Sequence, residues 1–170
     1  CRFMLVAAAN PCKCGYLTDP ARACARAPVC GEDYVGRISG PLMDRFDLRI
    51  EVPPVAFTDL DLPEAGEGST AIAARVTSAR EAQARRFNGH KTARVNADAE
   101  GHPLEEIATP DSEGRALLVK VAERFGLSAR GYHRVLRVAR TIADLNGSQD
   151  VRKPHVAEAV GYRLAMAKEV

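Results

Sequence analysis

The chain has 170 residues, of which 46% are hydrophobic and only 5% aromatic, with no tryptophan and a formal net charge of +2. That length suits one domain or two small ones, with a core built from Ala, Val, Leu and Ile, and the net charge is too small to argue for nucleic acid, so any basic footprint must be local. No apolar run reaches the ~18 residues of a membrane span and no signal-peptide pattern opens the chain, so no membrane partner and a cytoplasmic place are expected.

Residues 2–9, from "RFMLVAAA", read as a strand of the buried type. A buried strand at residue 2, with Cys1 and no methionine ahead of it, gives the expectation of a piece of a longer protein. Residues 10–31 read as an irregular loop rich in Cys, Pro and Gly. In the second half of "RISGPLMDRFDLRIEV", Phe46, Leu48, Ile50 and Val52 alternate with Asp47, Arg49 and Glu51. That period of two predicts a half-buried strand over 46–52. Residues 53–68 hold three prolines and two glycines and mark a boundary.

Beyond the boundary the pattern is helical. Ser69 caps a predicted helix to about Phe87, with Ile72, Val76 and Ala79 on one face. Residues 88–110 are polar and irregular, with one short helix near "PLEEIA". Asp111 or Ser112 caps a helix carrying Leu117, Leu118, Val121 and Phe125 to a stop at Gly126. Ser128 caps the next, with Tyr132, Val135, Leu136, Ala139, Ile142 and Leu145 inward and a stop at Gly147. Pro154 suits the first turn of a last helix, with Val156, Ala159, Val160 and Leu164 inward. The layout is a partial α/β core over 1–55, a linker over 56–68 and a helical domain over 69–170.

Two constellations carry chemistry. Cys12, Cys14, Cys24 and Cys30 lie in one short loop. Four thiolates can surround zinc, and the metal would replace a core that the loop lacks. The other reading is a set of small half-buried residues in a Gly/Pro loop. Lys13 and Arg26 would lower thiol pKa values in either case. Cys1 stands outside this cluster. In "SARGYHRVLRVARTIADL", Arg130, Arg134 and Arg137 share a narrow helical face and Arg140 drifts off it. That face is either a solvated basic surface or an anion site built of guanidinium forks. Arg130 sits in the first turn, where the helix dipole adds to its charge. Asn10, at the end of the first strand, is placed to face a ligand, although Asn-Pro also starts turns. His133 reads as a structural histidine. Arg45 lies between Asp44 and Asp47 at the mouth of the second strand, which reads as a local ion pair or as a cation held for another molecule's phosphate. The sequence holds no G-x-x-x-x-G-K-[ST] loop and no apolar strand ending in paired acids.

The blocks "LVAAANPCKCGY", "RISGPLMDRFDLRIEVP", "LSARGYHRVLRVARTIADLNGS" and "HVAEAVGYR" resemble the C-terminal half of AAA+ ATPases of the magnesium-chelatase-like type, most of all the ComM/YifB group. The resemblance implies the C-terminal part of a P-loop AAA+ α/β core followed by a mainly helical lid bundle. It implies that Asn10 corresponds to the sensor 1 residue, Arg45 to the arginine finger reaching a neighbouring subunit's ATP, and Arg130 to the sensor 2 arginine of the lid. Arg134 and Arg137 are expected to touch phosphate or nucleic acid. The family implies ATP and Mg2+ as cofactors, identical subunits in a hexameric ring, and DNA as the partner of a helicase that promotes branch migration in natural transformation. Walker A and B segments are expected upstream of Cys1, so the 170 residues alone should not hydrolyse ATP. A zinc-stabilised nucleic-acid-binding module and the motor subunit of a metal chelatase are the alternatives. The chain departs from the group in one place: members tend to carry a second C-x-C, whereas Arg26 stands two residues after Cys24 and the next cysteine is Cys30.

Overall fold

A computed structural model describes residues 3–17, 19, 21–53, 55 and 66–164. Most of the expected linker, together with Cys1 and Arg2, lies outside the described residues. The chain divides into two compact units, Cys1–Arg45 and Phe46–Val170.

The first unit carries two short helices, α1 (Val29–Val35) and α2 (Gly40–Met43). Ser39 starts α2: its Oγ accepts from the Leu42 amide at 3.3 Å, and Pro41 lies in the first turn. The strand expected over 2–9 does not form among the described residues. Phe3, Met4 and Val6 are exposed instead, at 79%, 87% and 81%. A strand exists only where a neighbour pairs its N–H and C=O groups, and no described segment lies alongside.

The second unit carries α3 (Ser69–Arg86), α4 (His102–Ala108), α5 (Ser112–Phe125), α6 (Ala129–Leu145) and α7 (Lys153–Leu164). The strand expected over 46–52 is also absent, for the same reason. Its recorded backbone bond is Arg49 N–H to the Tyr162 carbonyl at 3.0 Å. The described part of the chain is thus helical, and its one β feature is an isolated parallel bridge between Pro110 and Val151.

The starts of α5 and α6 follow their capping chemistry. Asp111 Oδ1 accepts from the Gly114 amide at 2.7 Å, and Ser128 Oγ accepts from the Gly131 amide at 2.9 Å. Helix α5 ends at Gly126, whose φ of +59° and ψ of 42° are left-handed. Helix α6 is the hub, packed on α3, α4 and α7. Its Val135, Leu136, Ala139, Ile142 and Ala143 join Leu104, Leu118, Val151, Val156 and Ala159 in one buried cluster. Leu145 and Leu164 are only half-buried. Ile72 and Val76 of α3, expected inward, are 42% and 43% exposed. Only the second half of α3, through Ala79 and Gln83, is buried.

A polar network lies inside this cluster. Asp144 accepts from Arg86 at 2.6 and 2.8 Å, from Arg140 at 2.9 and 3.1 Å, and from Asn96 Nδ2 at 2.8 Å. Arg140 also donates to the carbonyls of Ser148 and Gln149, both at 2.6 Å. Burial works against the Asp144 charge, but these donors and the Arg140 guanidinium outweigh it and hold the carboxyl below its ordinary range. Arg140 is thus an internal tie and not part of the basic surface. No helix among the described residues is long and apolar enough to cross a membrane.

Candidate functional site

Residues 130, 133, 134 and 137 lie at helical spacings of three and four, so they share one face of α6. Opposite them runs the turn at Glu100 and Gly101, where Gly101 has φ +54° and ψ −136°, a conformation that favours glycine. Between the two lies a cleft of about 420 Å³ lined by Glu100, Gly101, Ala129, Arg130, His133, Arg134 and Arg137.

The three arginines have different occupations. Arg137 is a strut: its Nε donates to the Ala99 carbonyl at 2.8 Å and its Nη2 reaches Glu100 at 3.4 Å. Arg134 donates through Nη1 to the Asp47 carboxylate, while its buried Nε has no hydrogen-bond partner. Arg130 is exposed and makes no hydrogen bond or ion pair among the described residues. It stands at the positively polarised end of α6, so dipole and guanidinium point to the same use, holding an anion. His133 is exposed on the same wall, its ring edge-on to Tyr132 at 6.0 Å. In sequence it reads as a structural histidine, although its i+3 spacing from Arg130 is the signal that puts it on this face. Glu100 and Gly101 carry no motif that would have marked them.

The other expected site residues lie in the first unit. Arg45 follows Asp44, the C-cap of α2, is exposed, and donates from Nη1 to the Pro41 carbonyl at 3.0 Å. Asp47, expected as a holder of Arg45, serves Arg134 instead. Asn10 is exposed at the end of the unpaired segment 3–10.

The cysteines do come together. Cys12 and Cys14 Sγ are 3.0 Å apart, and those two sulfurs and that of Cys30 all lie within 4.8 Å of one another. Cys24 lies outside this group of three. All four are free thiols. Hydrogen bonds from Cys12, then from the backbone at Tyr16 and Cys24, lower Cys14 to about 6. The Cys24 thiol, with burial and the neighbouring sulfur charges, pushes Cys30 up to about 12. The leading causes are therefore the neighbouring thiols. Arg26 turns away to the Asp33 carboxylate.

Comparison with known families matches residues 66–163 to the profile described as magnesium chelatase, subunit ChlI C-terminal, and residues 1–60 to that of magnesium chelatase, subunit ChlI. The competence protein ComM of Haemophilus influenzae is 39% identical over 163 residues, covering 95% of this chain and 31% of that protein. An uncharacterized protein of Escherichia coli, YifB, is 37% identical over 165 residues, again covering 95% and 31%. An uncharacterized protein of Mycobacterium bovis is 39% identical over 170 residues, covering 98% and 32%. The chain thus spans about a third of the length of these relatives.

Proposed function

Because the chain belongs to the magnesium-chelatase-like family of the ComM/YifB type, we propose that it is the sensor and lid portion of an ATP-driven AAA+ motor. In this reading residues 1–55 complete an α/β nucleotide-binding core, 56–68 link it to the lid, and 69–170 form the lid itself. The observation that carries it is Arg130: an unpaired guanidinium at the start of α6, facing a cleft that Arg134 and Arg137 already make cationic.

Arg130 reads the phosphates of ATP from the lid side, as sensor 2. The cleft suits phosphate and not the accompanying Mg2+, since its one carboxylate, Glu100, is engaged by Arg137. Arg45 acts in trans, its exposed guanidinium offered to the ATP of the adjacent subunit of a hexameric ring. Asn10 orients the attacking water as sensor 1. The cofactors are ATP and Mg2+ in the whole protein, with Zn2+ for the cysteine loop, and the place of work is the cytoplasm. The output is DNA remodelling of the helicase and branch-migration kind, in keeping with the name of the Haemophilus relative, a competence protein. The 170 residues alone, without a Walker A loop, hold phosphate but do not turn ATP over.

Arg45→Ala in the full-length protein tests the trans assignment. An arginine supplied in trans is worth roughly 10³–10⁵ in turnover. Turnover should collapse by that order while nucleotide affinity stays within about twofold of wild type. Turnover that remains near wild type would remove Arg45 from the mechanism. The thiol cluster favours a second reading, a zinc-stabilised nucleic-acid-binding module without ATP. It requires salt-dependent DNA binding by the 170 residues, with a slope set by the phosphates contacted. The shared motifs also admit the motor subunit of a metal chelatase.

A further inference from the structure

The Cys1–Arg45 unit has almost no interior. Among its described residues only Cys12 and Gly31 are buried, while Phe3, Met4 and Val6 face solvent. Cys12, one of those two buried residues, sits among free thiols: its sulfur and those of Cys14 and Cys30 lie within 4.8 Å of one another. We propose that Cys12, Cys14 and Cys30 bind a single zinc ion, with Cys24 of the same loop as the fourth thiolate.

The geometry is close to that of the bound form. A Zn–S bond of about 2.3 Å sets the sulfurs of a tetrahedron about 3.8 Å apart. The sulfurs of Cys12, Cys14 and Cys30 already lie within 4.8 Å of one another, two of them at 3.0 Å. Cys24, in the same loop, lies outside that group of three and has to turn inward to complete the tetrahedron.

The backbone presents the ligands in two knuckles. A tight turn closed by Gly15 N–H to the Cys12 carbonyl at 3.1 Å carries the first pair, and Gly15 takes the φ of +81° that the turn demands. A second turn, Ala27 N–H to the Cys24 carbonyl at 2.9 Å, leads Cys24 into α1, whose first turn carries Cys30. Arg26 stands where a paired C-x-C would put its last cysteine, but it points out to Asp33, so the longer spacing to Cys30 still delivers a fourth thiol. Soft thiolates select zinc or an iron–sulfur cluster. Sulfurs this close suit one metal ion, because a cluster spreads its cysteines over several irons. The proposal uses none of Asn10, Arg45 or Arg130, so it stands or falls apart from the motor reading.

The test is metal analysis of the purified 170-residue chain, with Co2+ exchanged for Zn2+ as a spectroscopic probe. One zinc per chain is expected. The cobalt form should show the strong visible bands of a tetrahedral ion and thiolate charge transfer in the near ultraviolet. Cys12→Ser and Cys24→Ser should each lose stoichiometric zinc, while Cys1→Ser keeps it. Chelation should open residues 3–45 to protease and leave the helices after Ser69 resistant. A chain that carries no zinc and takes up no Co2+ would overturn the proposal, and so would bound iron with sulfide. Wild-type zinc content and cobalt spectrum in Cys24→Ser would remove the fourth ligand and the tetrathiolate with it.

Discussion

Asp47 and Arg134 are 87 residues apart in sequence and form an ion pair in which the guanidinium Nη1 donates to the carboxylate Oδ1. The pair occupies one of the cations lining the cleft at α6. Any phosphate entering there competes with Asp47 for Arg134. Asp47→Asn removes the competitor. Exposed pairs of this kind are worth about 0.2–1 kcal/mol, so the affinity of the chain for triphosphate should rise by roughly 1.4- to 5-fold, as calorimetry can record. An affinity that falls would mean that Asp47 holds Arg134 in its binding posture.

Asp144 is the node on which Arg86, Arg140 and Asn96 converge. Asp144→Ala leaves a buried Arg140 without its carboxylate. Removing one partner of a buried pair costs about 3–5 kcal/mol. Urea denaturation should show a loss of that size in the helical unit.

His155 is buried, its Nδ1 accepting from the Arg152 amide at 3.0 Å. Burial, with the charges of Arg140 and Arg152, lowers its pKa below 6.5. The unfolded chain therefore binds this proton first. Stability is full above about pH 6.5 and falls as the pH drops toward the lower folded value, then levels. His155→Gln should flatten that slope in denaturation curves taken across the window. Asp144, whose folded pKa is also lowered, adds a second loss on the acid side of the ordinary carboxylate range.

Gly114 lies where α5 begins. A Cβ there would stand 2.8 Å from Asp111 Oδ1, 3.1 Å from Pro110 Cβ and 3.2 Å from Val156 Cγ2. Gly114→Ala should displace the capping carboxylate and crowd α7. Overpacking and a lost cap together cost about 1–3 kcal/mol, measurable as a lower midpoint of thermal unfolding.

The helices were legible where local chemistry decides them. Asp111, Ser128 and Gly126 mark ends that the chain itself enforces, and the apolar spacing of 135, 136, 139 and 142 names the buried side of α6. The face at 130, 134 and 137 was legible from the same period. The strands were not, because the alternation of Phe46, Leu48, Ile50 and Val52 reports a preference for pairing and not the presence of a partner. The fate of Arg140 was equally hidden: an arginine at i+10 on a basic helix looks solvated until the folded chain brings Arg86 and Asn96 around Asp144. Helix α1 was missed because its start is written in Cys, Pro and Gly, which signal a loop. Cys12, Cys14 and Cys30 come together while Cys24 stays outside their group, a division that the loose spacing of the four does not show.

ATP affinity and turnover of Arg130→Ala in the full-length protein test the role of Arg130 most directly. A hydrogen bond to a charged group is worth about 1.5–3 kcal/mol, so affinity or turnover should fall roughly 10- to 100-fold with the fold intact by circular dichroism. Wild-type affinity together with wild-type turnover would contradict the assignment and leave the cleft at α6 without a role in reading the nucleotide.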